Sequence, residues 1–259
     1  MTTRPLHAHV PYDQLASNLP LFLERRLNPE VYFPCHLLDT LIPEELSALA
    51  SAISAAGLAT TIHAPFMDLS PGAFDPLFRA ATLQRLEQVV AAAALLRPKV
   101  IVCHPGYDRW RYGEQQQTWL GYAMESFSRV LKSSEEIGCI IAVENIFEEE
   151  PSTLRALLEG VNHPRLRHCF DVGHWNLFHR VSLADWFEEL GSFIAEVHIH
   201  DNHGLRDDHA PIGDGNIDFA QYFTLMARHA PDAVWTIEAH SRDRLEKALA
   251  RLLPHAVSR

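Results

Sequence analysis

Eight short runs of β-forming residues alternate with amphipathic stretches of helical period along this chain, with no internal break. The strand-like runs lie near residues 5–10, 30–34, 59–64, 99–104, 139–144, 167–171, 194–200 and 233–238. The helix-like stretches lie near 12–26, 43–56, 73–96, 115–137, 152–160, 182–190, 218–229 and 241–253. Start signals stand at Pro43-Glu44-Glu45, Ser152, Ser182 and Ser241, and Gly57, Gly138 and Gly160 stand where C-terminal caps belong. Strands separated by helices pair in parallel, because a crossover of about a dozen residues or more replaces the tight turn of a hairpin. Eight such units predict an α/β protein, a single (β/α)8 barrel of the TIM type, with a doubly wound open sheet as the alternative. At 259 residues and 47% hydrophobic content, one domain spanning 1–259 can bury one large core.

Charge and composition exclude several classes of function. The formal net charge is −11, and the only lysines are Lys99, Lys132 and Lys247, so a nucleic-acid partner is disfavoured. No run approaches the roughly 18 apolar residues of a membrane span, and the start of the chain has no apolar signal core, which predicts a cytoplasmic protein. Cys35, Cys103, Cys139 and Cys169 form no CxxC pair and are expected to be reduced thiols.

The functional signal lies at the strand ends. Active sites of such barrels are built on the C-terminal rim, from strand termini and the loops that follow. The third strand-like run ends at His63, the fourth at His104, the fifth at Glu144, the sixth at Asp171 and the eighth at Glu238, while the seventh carries His198 and His200. Successive strands thus deliver a metal-ligand type to one rim. Carboxylates gathered in a poorly solvated mouth repel one another, and a divalent cation removes that cost. Mixed imidazole and carboxylate donors suit zinc, manganese, cobalt or iron better than calcium or magnesium. Two further clusters extend the set: His174, three residues beyond Asp171, and the D-x-H pair Asp207 and His209. Aromatic side chains that follow strand ends, Phe66, Tyr107, Trp110, Trp175 and Phe178, are candidate pocket walls, and His9, which shares a strand face with His7, is a candidate substrate contact.

The segments His63-Ala64-Pro65, His104-Pro105-Gly106, Val143-Glu144-Asn145, Phe170-Asp171-Val172-Gly173-His174, His198-Ile199-His200-Asp201-Asn202 and Gly213-Asp214-Gly215-Asn216-Ile217-Asp218 resemble the xylose-isomerase-like barrel superfamily. That grouping holds sugar and sugar-phosphate isomerases and epimerases together with the endonuclease IV type of apurinic-site nuclease. In the epimerase branch, the resemblance implies one metal held by Glu144, Asp171, His198 and Glu238, with the two glutamates exchanging the substrate proton. In the endonuclease branch it implies a three-zinc cluster that adds His63, His104, His174, Asp207 and His209. All of these positions are filled, so one to three divalent ions per chain are expected.

The chain departs from both branches. Phe66 stands at the endonuclease branch's tyrosine position, and the loops lack basic, base-pair-wedging segments. The substrate-binding arginine of the keto-sugar epimerases has Arg206 as its nearest counterpart. The reading is a metal-dependent isomerase or epimerase acting on a small-molecule sugar or sugar phosphate through an enediolate, with Glu144 and Glu238 as base and acid. The alternative is an endonuclease IV-like, metal-dependent phosphodiester hydrolase. No membrane partner is expected, and assembly into a homo-oligomer stays open.

Overall fold

The computed structural model describes residues 4–256. Its elements, in chain order, are β1 (Leu6–Pro11), α1 (Tyr12–Arg25), β2 (Asn28–Tyr32), α2 (Cys35–Leu38), α3 (Pro43–Ala55), β3 (Thr61–His63), α4 (Pro76–Leu96), β4 (Val100–Cys103), α5 (Arg109–Tyr112), α6 (Gln116–Ser133), β5 (Ile140–Glu144), α7 (Ser152–Val161), β6 (Leu166–Asp171), α8 (Val172–Phe178), α9 (Leu183–Leu190), β7 (Ile194–Ile199), α10 (Phe219–His229), β8 (Val234–Ile237) and α11 (Arg242–Ala256). The strands close in sequence order into one parallel barrel, β8 pairing with β1. The chain is therefore a single (β/α)8 TIM barrel, not an open sheet.

Helix starts follow local chemistry. Pro43 opens α3 with Glu44 and Glu45 in its first turn. The Asp75 carboxylate accepts from the Leu77 amide ahead of α4, and the Ser182 hydroxyl accepts from the Asp185 amide ahead of α9. Two sequence expectations are corrected. Ser152 is the first residue of α7 rather than its cap, and its hydroxyl donates to the Glu150 carboxylate. Gly160 lies inside α7, which ends at a left-handed Asn162; a Cβ at Gly160 would sit 2.2 Å from Met124 Cε, so this glycine permits close approach of α6.

The main core lies between barrel and helices, with Trp119, Trp186, Tyr222 and Phe127 fully buried there. Inside the barrel, Val100, Val102, Ala142 and Cys169 pack as a small apolar wall. The inward positions of the remaining strands are polar and buried: His7, Glu30, Thr61, Glu196 and Thr236. A register shift between β6 and β7 pairs His168 with Ile194 but Cys169 with Glu196, leaving Ala195 as the extra residue. That shift aligns Asp171 with His198; without it Val197 would stand opposite Asp171 and His198 would face outward. All four cysteines are free, and no helix among the described residues is long and apolar enough to cross a membrane.

Candidate metal centre

The C-terminal ends of β3 to β8 gather nitrogen and oxygen donors around Glu144, which is almost fully buried. His63 Nε2 and His104 Nε2 stand 3.2 and 3.1 Å from its Oε2. That oxygen has no hydrogen-bond partner, so the two imidazoles converge on it without aiming an N–H at it. The other oxygen, Oε1, lies 3.2 Å from both His198 Nδ1 and His174 Nδ1. His198 Nδ1 is in turn 3.4 Å from Glu238 Oε1 and 3.8 Å from Asp171 Oδ2. A third group forms on the outer side, where Asp207 lies 3.5 Å from His174 Nε2 and 3.4 Å from His209 Nδ1, and His209 Nε2 lies 3.1 Å from Glu238 Oε2. The nine ligand-type residues singled out in the sequence are thus brought together, each group sharing a carboxylate with the next.

Local structure explains why the outer group reaches the rim. The loop after β7 is folded around the buried Asp201 carboxylate, which accepts from the amides of Asn202, Gly213, Gly215 and Ile217. Backbone bonds between Asp201 and Ala210 return the chain to the rim at His209, whose φ is +46°. Gly173 serves the same junction: a Cβ there would lie 2.0 Å from the His200 ring, which hydrogen-bonds Asp171 through Nε2 at 3.0 Å.

The electrostatics match an ion-binding cage. For His63, His209, Glu144 and Glu238, burial opposes the charged form, yet mutual attraction wins. His63 is lifted to about 9 by the charges of Glu144 and Glu30 beside it, against its burial. His209 is lifted to about 9 by Glu238 and Asp207, again against burial. Glu144 and Glu238 are driven well below the usual carboxylate range, His198 outweighing their burial. His104 is the exception, held below its ordinary value because burial, with the charges of His63 and His174, outweighs Glu144. Carboxylates and imidazoles gathered in this way are the donor types that give up protons when a divalent cation binds. The donors fit the zinc, manganese, cobalt and iron class.

The centre opens into a cavity of about 1050 Å³. His9, Phe66, Tyr107, Phe178 and Arg206 line it, and Phe66 stacks on His104 with ring centroids 4.4 Å apart. Two expected walls are corrected. Trp175 is packed in the core and stacks on His179, and Trp110 is 85% exposed beneath the Arg109 guanidinium; neither lines the cavity. Buried carboxyls that were not anticipated include Glu30 and Glu148. Glu30, at the centre of β2, contacts His9 and His198, and alternation of Asn28, Glu30 and Tyr32 on one strand face is the signal that could have found it. Glu148, in the loop after β5, is pushed up to about 7 by burial, against the Ile146 amide that donates to it.

The fold is thus a closed parallel (β/α)8 barrel whose C-terminal rim gathers imidazoles and carboxylates in candidate metal-ligand groups. The chain belongs to the xylose isomerase-like TIM barrel family, whose profile matches residues 30–255. An uncharacterized protein of Methanocaldococcus jannaschii is 26% identical over 211 residues, covering 79% of this chain and 72% of that one. The TTHB071 protein from Thermus thermophilus, in a structure soaked with zinc chloride, is 25% identical, with a TM-score of 0.81 and 97% of each chain covered. A D-tagatose 3-epimerase-like protein shares the fold with a TM-score of 0.82 at 24% identity, over 97% of this chain and 96% of that one.

Proposed function

We propose that this protein is a divalent-metal-dependent isomerase or epimerase of a sugar or sugar phosphate. The observation that carries the reading is the placement of Glu144 and Glu238. They come from β5 and β8, three strands apart around the barrel, yet both reach His198 Nδ1, at 3.2 and 3.4 Å, and both open onto the cavity. A bound ion polarises adjacent substrate oxygens and stabilises the negative charge that builds as a carbon-bound proton leaves. Asp171 and His198, with the glutamates, are the residues that hold such an ion. Two ionised carboxylates approaching one carbon from separate directions can take a proton on one face and deliver it on the other, by way of an enediolate. His9 and Arg206 reach the same cavity to meet substrate hydroxyls or a phosphate, and Phe66 offers an apolar face to the sugar. Family membership and the epimerase-like fold neighbour agree with this class of reaction.

The test follows the substrate α-proton. With metal-loaded protein and a panel of ketoses and ketose phosphates in deuterated water, wild type is expected to exchange that proton. Glu144→Gln and Glu238→Gln, which keep size but lose the proton acceptor, are expected to lose exchange about 100-fold or more. Exchange at the wild-type rate in both variants overturns the paired-glutamate mechanism. One observation favours a second reading: the donors fall into three carboxylate-sharing groups, enough for a multinuclear site. An endonuclease IV-like phosphodiester hydrolase would use several ions to activate water and steady the leaving oxygen. Metal analysis of protein purified without chelators separates the two, one ion per chain favouring the epimerase and three favouring the hydrolase.

A further inference from the structure

The Glu30 carboxylate lies wholly inside the barrel, directly beneath the metal-ligand cluster, and it is no ligand-type residue of a strand end. Its Oε1 is 3.0 Å from His198 Nε2, and its Oε2 is 2.9 Å from His9 Nδ1. The two partners belong to different parts of the site. His198 turns its other nitrogen, Nδ1, towards Glu144, Glu238 and Asp171, while His9 lines the cavity with its ring stacked on Tyr32 at 5.5 Å between centroids. We propose that Glu30 is a positioning residue that fixes the ring orientation and tautomer of both histidines. By accepting the N–H of His198 Nε2 it leaves the Nδ1 lone pair for the metal. By accepting the N–H of His9 Nδ1 it leaves Nε2 as an acceptor for a substrate hydroxyl. One carboxylate thereby orients both the metal ligand, through Oε1, and the substrate contact, through Oε2. A carboxylate behind a metal-bound imidazole raises the basicity of that ring and holds its direction, and its loss weakens metal binding about 10- to 100-fold.

The metal arm of this inference rests on the metal-dependent reading above; the hydrogen-bond arm does not. Glu30→Gln keeps the volume and one acceptor oxygen while removing the charge. Zinc affinity is measured by competition with a colorimetric chelator, on variants whose circular dichroism matches wild type. Glu30→Gln is expected to bind zinc about 10- to 100-fold more weakly, and His9→Gln, whose ring meets Glu30 at Oε2 and stands 3.5 Å from Glu238 Oε1, is expected to weaken it by a smaller factor. Unchanged affinity in folded Glu30→Gln overturns the proposal, since a carboxylate serving stability alone would shift the melting temperature and not the zinc constant. Should Glu30→Gln fail to fold, nitrogen-15 histidine spectra of the wild type decide the matter. A hydrogen-bonded proton on His198 Nε2, retained when zinc is added, supports it. A zinc-loaded form with the proton on Nδ1 and Nε2 bare overturns it. If wild type binds no zinc at all, the metal-dependent function fails, and the Nε2 proton in the metal-free protein still shows whether Glu30 orients His198.

Discussion

His168 shows how one buried ring ties the outer core to acid stability. Its Nδ1–H donates to the Val143 carbonyl at 2.8 Å, and its Nε2 accepts from the Trp186 indole N–H at 3.3 Å. Both nitrogens of the neutral ring are therefore satisfied, and a second proton would set donor against donor. Burial pushes its pKa down to about 4, against the pull of the Val143 carbonyl. The unfolded chain takes up that proton near its ordinary value of about 6.5. The stability contributed by the neutral ring is thus fully present above about pH 6.5 and is lost as pH falls towards 4, by roughly 3 kcal/mol. His7, pushed down to about 3 by burial in the barrel interior, acts in the same direction. His168→Gln keeps one donor and one acceptor but no titrating group. Urea unfolding of metal-free protein at pH 7 and pH 4 is expected to show a smaller loss of stability in the variant than in wild type. Equal losses would show that His168 is not a source of the acid sensitivity.

Among the elements, the β7–α10 connection does the most to assemble the site, and Asp201 holds it. Its carboxylate accepts four backbone amides, and an asparagine there would turn an NH2 group towards some of those donors. Asp201→Asn is expected to cost about 1–3 kcal/mol and to raise amide exchange across residues 201–217. Asp207 and His209 should lose their placement while Glu144, Asp171, His198 and Glu238 keep theirs, so any outer metal should be lost selectively. Unchanged exchange and metal content would mean the loop is held by other contacts. Asp201 also marks where the sequence stopped being readable. The alternation of strand and helix was legible because periods of 2 and 3.6 are set by burial against one barrel wall, and strand-end ligands were legible because a rim position follows from a strand end. Short helices in the connecting loops, α2, α5 and α8, left no periodic trace. β2 begins at Asn28 rather than 30, since Asn28-Pro29 reads as a turn although Pro29 pairs with Ala8. The directions of Trp110 and Trp175 depend on loop paths that no period encodes. Glu30 reads as a solvent-facing carboxylate until its partner His198, 168 positions later, is placed beside it.

For the whole molecule, the field is negative. With 33 acidic against 22 basic residues, the chain carries a formal charge of −11, which concentrates divalent cations near the rim and repels a phosphate backbone. Many of the arginines are already matched by carboxylates, on outer helices for Arg25 with Glu246, Arg129 with Glu87 and Arg155 with Glu159, and on the β7–α10 loop for Arg251 with Asp214. A duplex-binding face needs several unmatched cations to release counterions from DNA, and its affinity then falls steeply with salt. This distribution favours a small substrate drawn into the cavity over a polymer lying across the rim. With zinc- or manganese-loaded protein at physiological salt, duplex DNA carrying an abasic site is therefore expected to show no saturable binding at micromolar protein, no steep dependence of binding on salt, and no incision. The contrary result has a defined meaning, because the donors form three groups that share carboxylates. Tight binding followed by a metal-dependent cut, lost in Glu144→Gln, would make the multinuclear hydrolase the function of this barrel and leave the paired glutamates as ligands alone.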